Sequence, residues 1–166
     1  MTAQIAENLL FEGKTVSMCS EPLCDYFFLS GNYPNFASNC SALWRGYIGS
    51  WEIKYDHLYL VAIEGALEDG TDVSLATLFP DFPERVFAHW YSGTIRIPQG
   101  KQLRYVHMGY GSIFEQDLLL NIDGGVVTST QIRQNGVSDS EQAPTGYGVG
   151  AMTVFPTRGK SNKDAE

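Results

Sequence analysis

The chain lacks the marks of several protein classes. It has 11 Lys and Arg against 19 Asp and Glu, a net charge of −8. No basic stripe is present, and binding nucleic acid through its phosphates requires one, so nucleic acid is excluded as a partner. The same charge is repelled by an anionic membrane surface. No run approaches the roughly 18 apolar residues of a membrane-spanning helix. The opening Met-Thr-Ala-Gln-Ile-Ala-Glu-Asn-Leu-Leu has no basic stretch and no long apolar core, so it does not read as a signal peptide. Cysteine is scarce. Cys19, Cys24 and Cys40 cannot all pair within one chain, and with no export signal they read as reduced thiols of a cytoplasmic protein.

Catalytic and metal motifs are missing as well. There is no Gly-x-Ser-x-Gly, no Cys-x-x-Cys and no His-Glu-x-x-His. Glu21-Pro22 between Cys19 and Cys24 argues against a metal knuckle, and small buried side chains are the better reading of the cysteines. Gly146-Tyr147-Gly148-Val149-Gly150 lacks the lysine and helix of a phosphate loop. Glu64, Glu68, Asp69, Asp72, Asp81 and Glu84 crowd a stretch without Lys or Arg, but Asp69-Gly70-Thr71-Asp72 holds only part of a calcium loop. This stretch is a solvated acidic edge, or a patch facing a basic partner. No metal or cofactor is implied.

What is present is aromatic and β-branched. Aromatics make up 13% of the 166 residues, and charged residues only 18%. That composition suits pleated, half-buried surfaces and one sizeable core. Residues 42–64 spell a hairpin. In its first arm Trp51, Ile53 and Tyr55 alternate with Glu52 and Lys54. Gly46 and Gly49 there predict a bulge or bend. The second arm, Leu58 to Ile63, is apolar on both faces, as in a central strand.

Further elements follow from periodicity and punctuation. A short helix is expected over Ala3 to Leu10, then a strand over Thr15 to Ser20. Leu23 to Leu29 fits a helical turn or a strand, and residues 30–35 a loop. Glu68 to Asp72 is a turn, and Ser74 to Phe79 a helical turn ended by Pro80. Strands are expected at 85–91, 93–97, 103–108 and 113–122, with a turn at 98–101. Asp123-Gly124-Gly125 is a tight turn before a return arm at 126–132. Residues 136–150 are loose, and 149–155 add an edge strand. The expectation is one mainly antiparallel all-β domain over 1–156. Its architecture is a β-sandwich or small partly open β-barrel, with a short N-terminal helix and a flexible polar tail at 157–166.

Gly49-Ser50-Trp51 resembles the Gly-x-Trp of lipocalin-like barrels, where the Trp closes one end. The resemblance covers three residues. It implies a ligand-holding barrel with Trp51 packed under an arginine, Arg133 or Arg104.

Trp44-Arg45-Gly46-Tyr47 and Arg104-Tyr105-Val106-His107-Met108-Gly109-Tyr110 interleave rings with cations, as recognition surfaces do. The candidate binding residues are therefore Trp44, Arg45, Tyr47, Trp51, Arg104, His107 and Tyr110. The leading functional expectation is a non-enzymatic acidic interaction module that binds a basic protein, such as an inhibitor, an immunity-like protein or an accessory subunit. The alternatives are a small-ligand-binding β-barrel, and a hydrolase using His89 or His107 with Glu115 or Asp117. His57 reads as a solvated turn residue. Nothing in the sequence selects an oligomeric state.

Overall fold

The structure is a computed structural model, and it describes residues 2–38 and 40–136. Strands dominate: β1 (Glu7–Phe11), β2 (Lys14–Met18), β3 (Tyr47–Lys54), β4 (His57–Ala66), β5 (Asp72–Val73), β6 (Val86–Phe87), β7 (Gly93–Arg104), β8 (Ile113–Asp123) and β9 (Val126–Gln134). Two helices interrupt them, α1 (Pro22–Ser30) and the single turn α2 (Leu75–Leu78). The described strands form one mixed sheet in the order β2-β1-β3-β4-β9-β8-β7, with β5 and β6 also pairing with β4. The sheet is mainly β as expected, but it is not closed into a barrel. Nor is it purely antiparallel, because β1 runs parallel to β3, with Leu9 opposite Trp51.

Local turn chemistry sets most of the pairings. β1–β2, β3–β4 and β8–β9 are each joined by two left-handed residues: Glu12 and Gly13, Tyr55 and Asp56, Gly124 and Gly125. That is the hairpin turn whose twist matches its strands. At Gly125 a side chain would also strike Ala88 O and the Phe87 ring. α1 starts with Pro22 in its first turn and stops at Gly31, whose left-handed backbone lets its N–H donate to Phe28 O. Ser74 and Thr77 cap α2 reciprocally.

The N-terminal helix is a misreading. Residues 7–11 form a strand in which Glu7 and Leu9 point inward while Asn8 and Leu10 face out. An isolated eight-residue helix without a cap is marginal in water, whereas a strand here gains pairings with both β2 and β3. Residues 98–101 are not a turn either. β7 runs through them, with Pro98 opposite Asp117 and Gln99 opposite Gln116. β7 ends the sheet order, where a proline costs no ladder hydrogen bond. Gly100, at φ 80°, accompanies the bulge that follows. The strand expected at 85–91 shrinks to Val86–Phe87, and the one at 103–108 is the end of β7, which stops at Arg104. Tyr55 belongs to the β3–β4 turn and is exposed, so the buried face of β3 is Tyr47, Gly49 and Trp51. The register does shift, between Ser50 and Trp51, just after Gly49. The loose stretch expected at 136–150, the edge strand at 149–155 and the tail at 157–166 lie, Gly136 apart, outside the described residues.

One apolar cluster fills the interior, including Leu9, Met18, Leu23, Trp51, Leu58 and Leu120. At one flank lies a second buried group. Asp117 of β8 accepts from Arg96 Nε at 2.8 Å, Arg133 Nη2 at 2.6 Å and Asn135 Nδ2 at 3.0 Å. Burial raises its carboxyl, but these three donors outweigh burial and hold it below the ordinary 3.8. A depressed pKa gives stability that is complete above pH 3.8 and lost as pH falls through the folded value. Asp117→Asn should therefore lower unfolding stability by about 2 kcal/mol at pH 7. Urea titrations should show that deficit shrinking below pH 3.8, where the parent loses the same contribution.

Candidate functional site

Three segments distant in sequence meet at the N-terminal end of α1. β1 contributes Glu7, which is fully buried. Glu7 Oε1 accepts from Arg45 Nε at 2.8 Å, and Oε2 accepts from Trp51 Nε1 at 2.8 Å. The Gly49 backbone N–H adds a third donor. Gly49 is required here, because a Cβ would collide with Glu7 Oε2. Burial pushes the Glu7 carboxyl upward, opposed by Arg45, Trp51 and Gly49. Arg45 loses by burial but gains more from Glu7, Tyr110 and Glu21, so it stays charged.

The network continues outward from Arg45. Nη1 donates to Ile5 O at 2.9 Å and lies 3.5 Å from Glu21 Oε1. Nη2 is buried with no hydrogen-bond partner among the described residues. Glu21 occupies the N-cap position of α1, yet its side chain caps nothing. Its carboxylate instead accepts from Tyr110 Oη at 2.7 Å and from the Cys24 thiol at 3.5 Å. Cys24 Sγ also lies 3.0 Å from the Tyr47 hydroxyl and 3.8 Å from that of Tyr33. Burial raises the Cys24 thiol, and it raises the Tyr33, Tyr47 and Tyr110 phenols far above their ordinary range. All four keep their protons at neutral pH.

Above this floor an open groove of about 640 Å³ is lined by Cys24, Asp25, Phe27, Phe28, Gly31 and Tyr33. Phe27 is buried and meets Tyr33 edge-on at 5.0 Å, with Phe36 and Tyr47 behind it. Phe28, the next residue, is 85% exposed, Leu29 68% and Tyr33 50%. Asp25 is the one charged lining residue. From Thr15 to Trp44 the sequence holds no Lys or Arg.

The structure splits the residues expected at a site. Arg45, Tyr47, Trp51 and Tyr110 converge on the network, with the first three buried. Trp51 is expected under Arg133 or Arg104, but it donates instead to Glu7, the carboxylate that also binds Arg45. Arg133 is bound to Asp117, and Arg104 is exposed at the end of β7. The sheet of the described residues is not closed into a barrel whose end Trp51 would seal. Trp44 is exposed, and so is His107, whose Nδ1 lies 2.6 Å from the Tyr105 hydroxyl. His89 is exposed and packs on Phe87 and Trp90. Glu115 accepts from the Lys101 backbone. No His–carboxylate hydrogen bond joins these groups among the described residues. His57 sits beside the β3–β4 turn, with Nδ1 2.6 Å from Tyr55 O. The six acids between 64 and 84 are all exposed. Among the described residues no group of three or more His, Cys, Asp or Glu is placed to hold a metal ion, and no helix is long and apolar enough to cross a membrane.

Sequence reasoning missed Glu7, Glu21, Cys24, Phe28 and Tyr33. The signal for Glu7 was an acid alternating with Leu9, visible once residues 7–11 are read with period two. No protein-family model, curated protein or solved structure matches the chain.

A thiol raised by burial is a poor nucleophile at neutral pH. All three cysteines are free, which permits a direct check. Iodoacetamide at pH 7.5 should label exposed Cys40 well before Cys24, and in 6 M urea the two should react alike.

Proposed function

We propose that the chain is a non-enzymatic protein-interaction module that engages a basic partner through the outer face of α1, as an inhibitor, an immunity-like protein or an accessory subunit does. The observation that carries this reading is Phe28 and Leu29, consecutive on α1 and 85% and 68% exposed, with Phe28 lining a groove. Single exposed apolar residues are ordinary, but contiguous ones beside a concave surface mark interaction sites. Charge supports the choice of partner: the chain carries −8, and no cation occurs between residues 15 and 44. Complementary charge steers encounter and rejects acidic competitors.

A small-ligand site ranks second. The groove has a suitable volume, but it is open and lies beside α1 rather than inside a closed barrel. For the architecture we favour the partly open barrel over the sandwich. Cys19 N–H donates to Arg96 O at 2.9 Å, and Ser20 Oγ to Thr94 O at 3.2 Å, so the two ends of the sheet approach each other. We place the protein in the cytoplasm, since an odd set of unpaired thiols suits a reducing compartment.

Phe28→Asp and Leu29→Asp test the reading, because both positions are exposed and the fold should tolerate them within about 0.5 kcal/mol. The parent chain should co-purify one stoichiometric partner from its source, with recovery falling as salt rises. Either variant should lose that partner at unchanged melting temperature. Retention by both variants, salt-independent recovery, or no partner at all would count against it.

A further inference from the structure

We propose that the groove beside α1 takes a linear segment of the partner, one that places an apolar side chain next to lysine or arginine. This rests on the reading of α1 as the interaction face and specifies what sits there. The groove, at about 640 Å³, is in the range that encloses a few side chains rather than a flat protein surface. Its walls are the rings of Phe27, Phe28 and Tyr33, which match an apolar side chain and also offer π faces to a cation. Its single charge is the carboxylate of Asp25, exposed at the rim. Arg45, the nearest basic residue in sequence beyond α1, is turned inward to Glu7. An acidic segment would therefore meet the Asp25 carboxylate with no cation among the lining residues, while a basic one would pair with it.

The floor is also held in place before anything binds. Cys24, Tyr33 and Tyr47 are linked through the thiol, and Glu21 ties that thiol to Tyr110 and, through an ion pair, to Arg45. A preformed floor spares the ordering cost of binding. At Gly31 a Cβ would find nothing within 4 Å, so the groove is open at that residue. An amphipathic helix laid along such a groove, with apolar anchors one turn apart and cations beside them, satisfies every one of these features.

The test uses the full chain, labelled with ¹⁵N, and three synthetic peptides of about fourteen residues, four turns of helix. One has Leu at helical spacing among Lys, the second replaces Lys with Glu, and the third replaces Leu with Ser. Only the Leu/Lys peptide should bind, shifting the amide signals of Cys24, Asp25, Gly31 and Tyr33. Asp25→Asn should weaken it about two- to fivefold, the size of one exposed ion pair. Phe28→Ser should weaken it about tenfold or more. Glu12→Gln, which removes the same charge from the β1–β2 turn, should leave it unchanged. Equal binding by the Glu or Ser peptide, shifts elsewhere on the chain, or no binding by any peptide would overturn the inference. A partner still lost on Phe28→Asp would in that case leave the α1 reading standing, with a folded surface as the occupant.

Discussion

The ion pair between Glu7 and Arg45 is the constraint on which the rest of the structure depends. A carboxylate and a guanidinium leave water together, and the desolvation cost of each is several kcal/mol. Excellent geometry offsets that cost: Arg45 Nε at 2.8 Å on one oxygen, Trp51 Nε1 at 2.8 Å on the other, and the Gly49 N–H besides. These contacts fix β1 against β3, the parallel strand pair among the described residues. They also explain why position 49 has no side chain. Removing either charge would leave the other buried and uncompensated, the costliest way to break such a pair.

From that pair, order passes outward to the surface. Arg45 holds Glu21, and Glu21 gives up the ordinary N-cap role to bind Tyr110 and the Cys24 thiol. α1 is therefore anchored at its head by side chains from the interior. Its inner residues Leu23 and Phe27 pack into the core, which turns Phe28 and Leu29 to solvent. An apolar outer face on an anchored helix is stable without a covering layer of its own.

What the sequence revealed was what local chemistry decides. The hairpin at 42–64, the Gly124-Gly125 turn and the capped turn at Ser74 are written in a few adjacent residues, and each lies where those residues put it. What stayed hidden depends on contacts across the chain. Residues 7–11 are a strand because β3, some forty positions away, pairs with them. Pro98 belongs to a strand because β7 ends the sheet order. The candidate site was half legible. Arg45, Tyr47, Trp51 and Tyr110 stood out as rings and cations and do converge, but inside rather than on the surface. Their organiser, Glu7, was masked by the helical reading. Phe28 did not stand out, because a run of three aromatics, Tyr26-Phe27-Phe28, does not reveal which ring the helix turns outward.

The most direct test is the unfolding free energy of Arg45→Met against the parent at pH 7 and pH 5, by urea titration. Burial already raises Glu7, and losing Arg45 raises it further. A raised carboxyl disfavours the fold as pH climbs from about 4.5 through the folded value. The account predicts a loss of about 3–5 kcal/mol at pH 7 and a distinctly smaller loss at pH 5, where Glu7 is more readily protonated. A loss below about 1 kcal/mol at pH 7, or the same loss at both pH values, would contradict a fold organised around this buried pair.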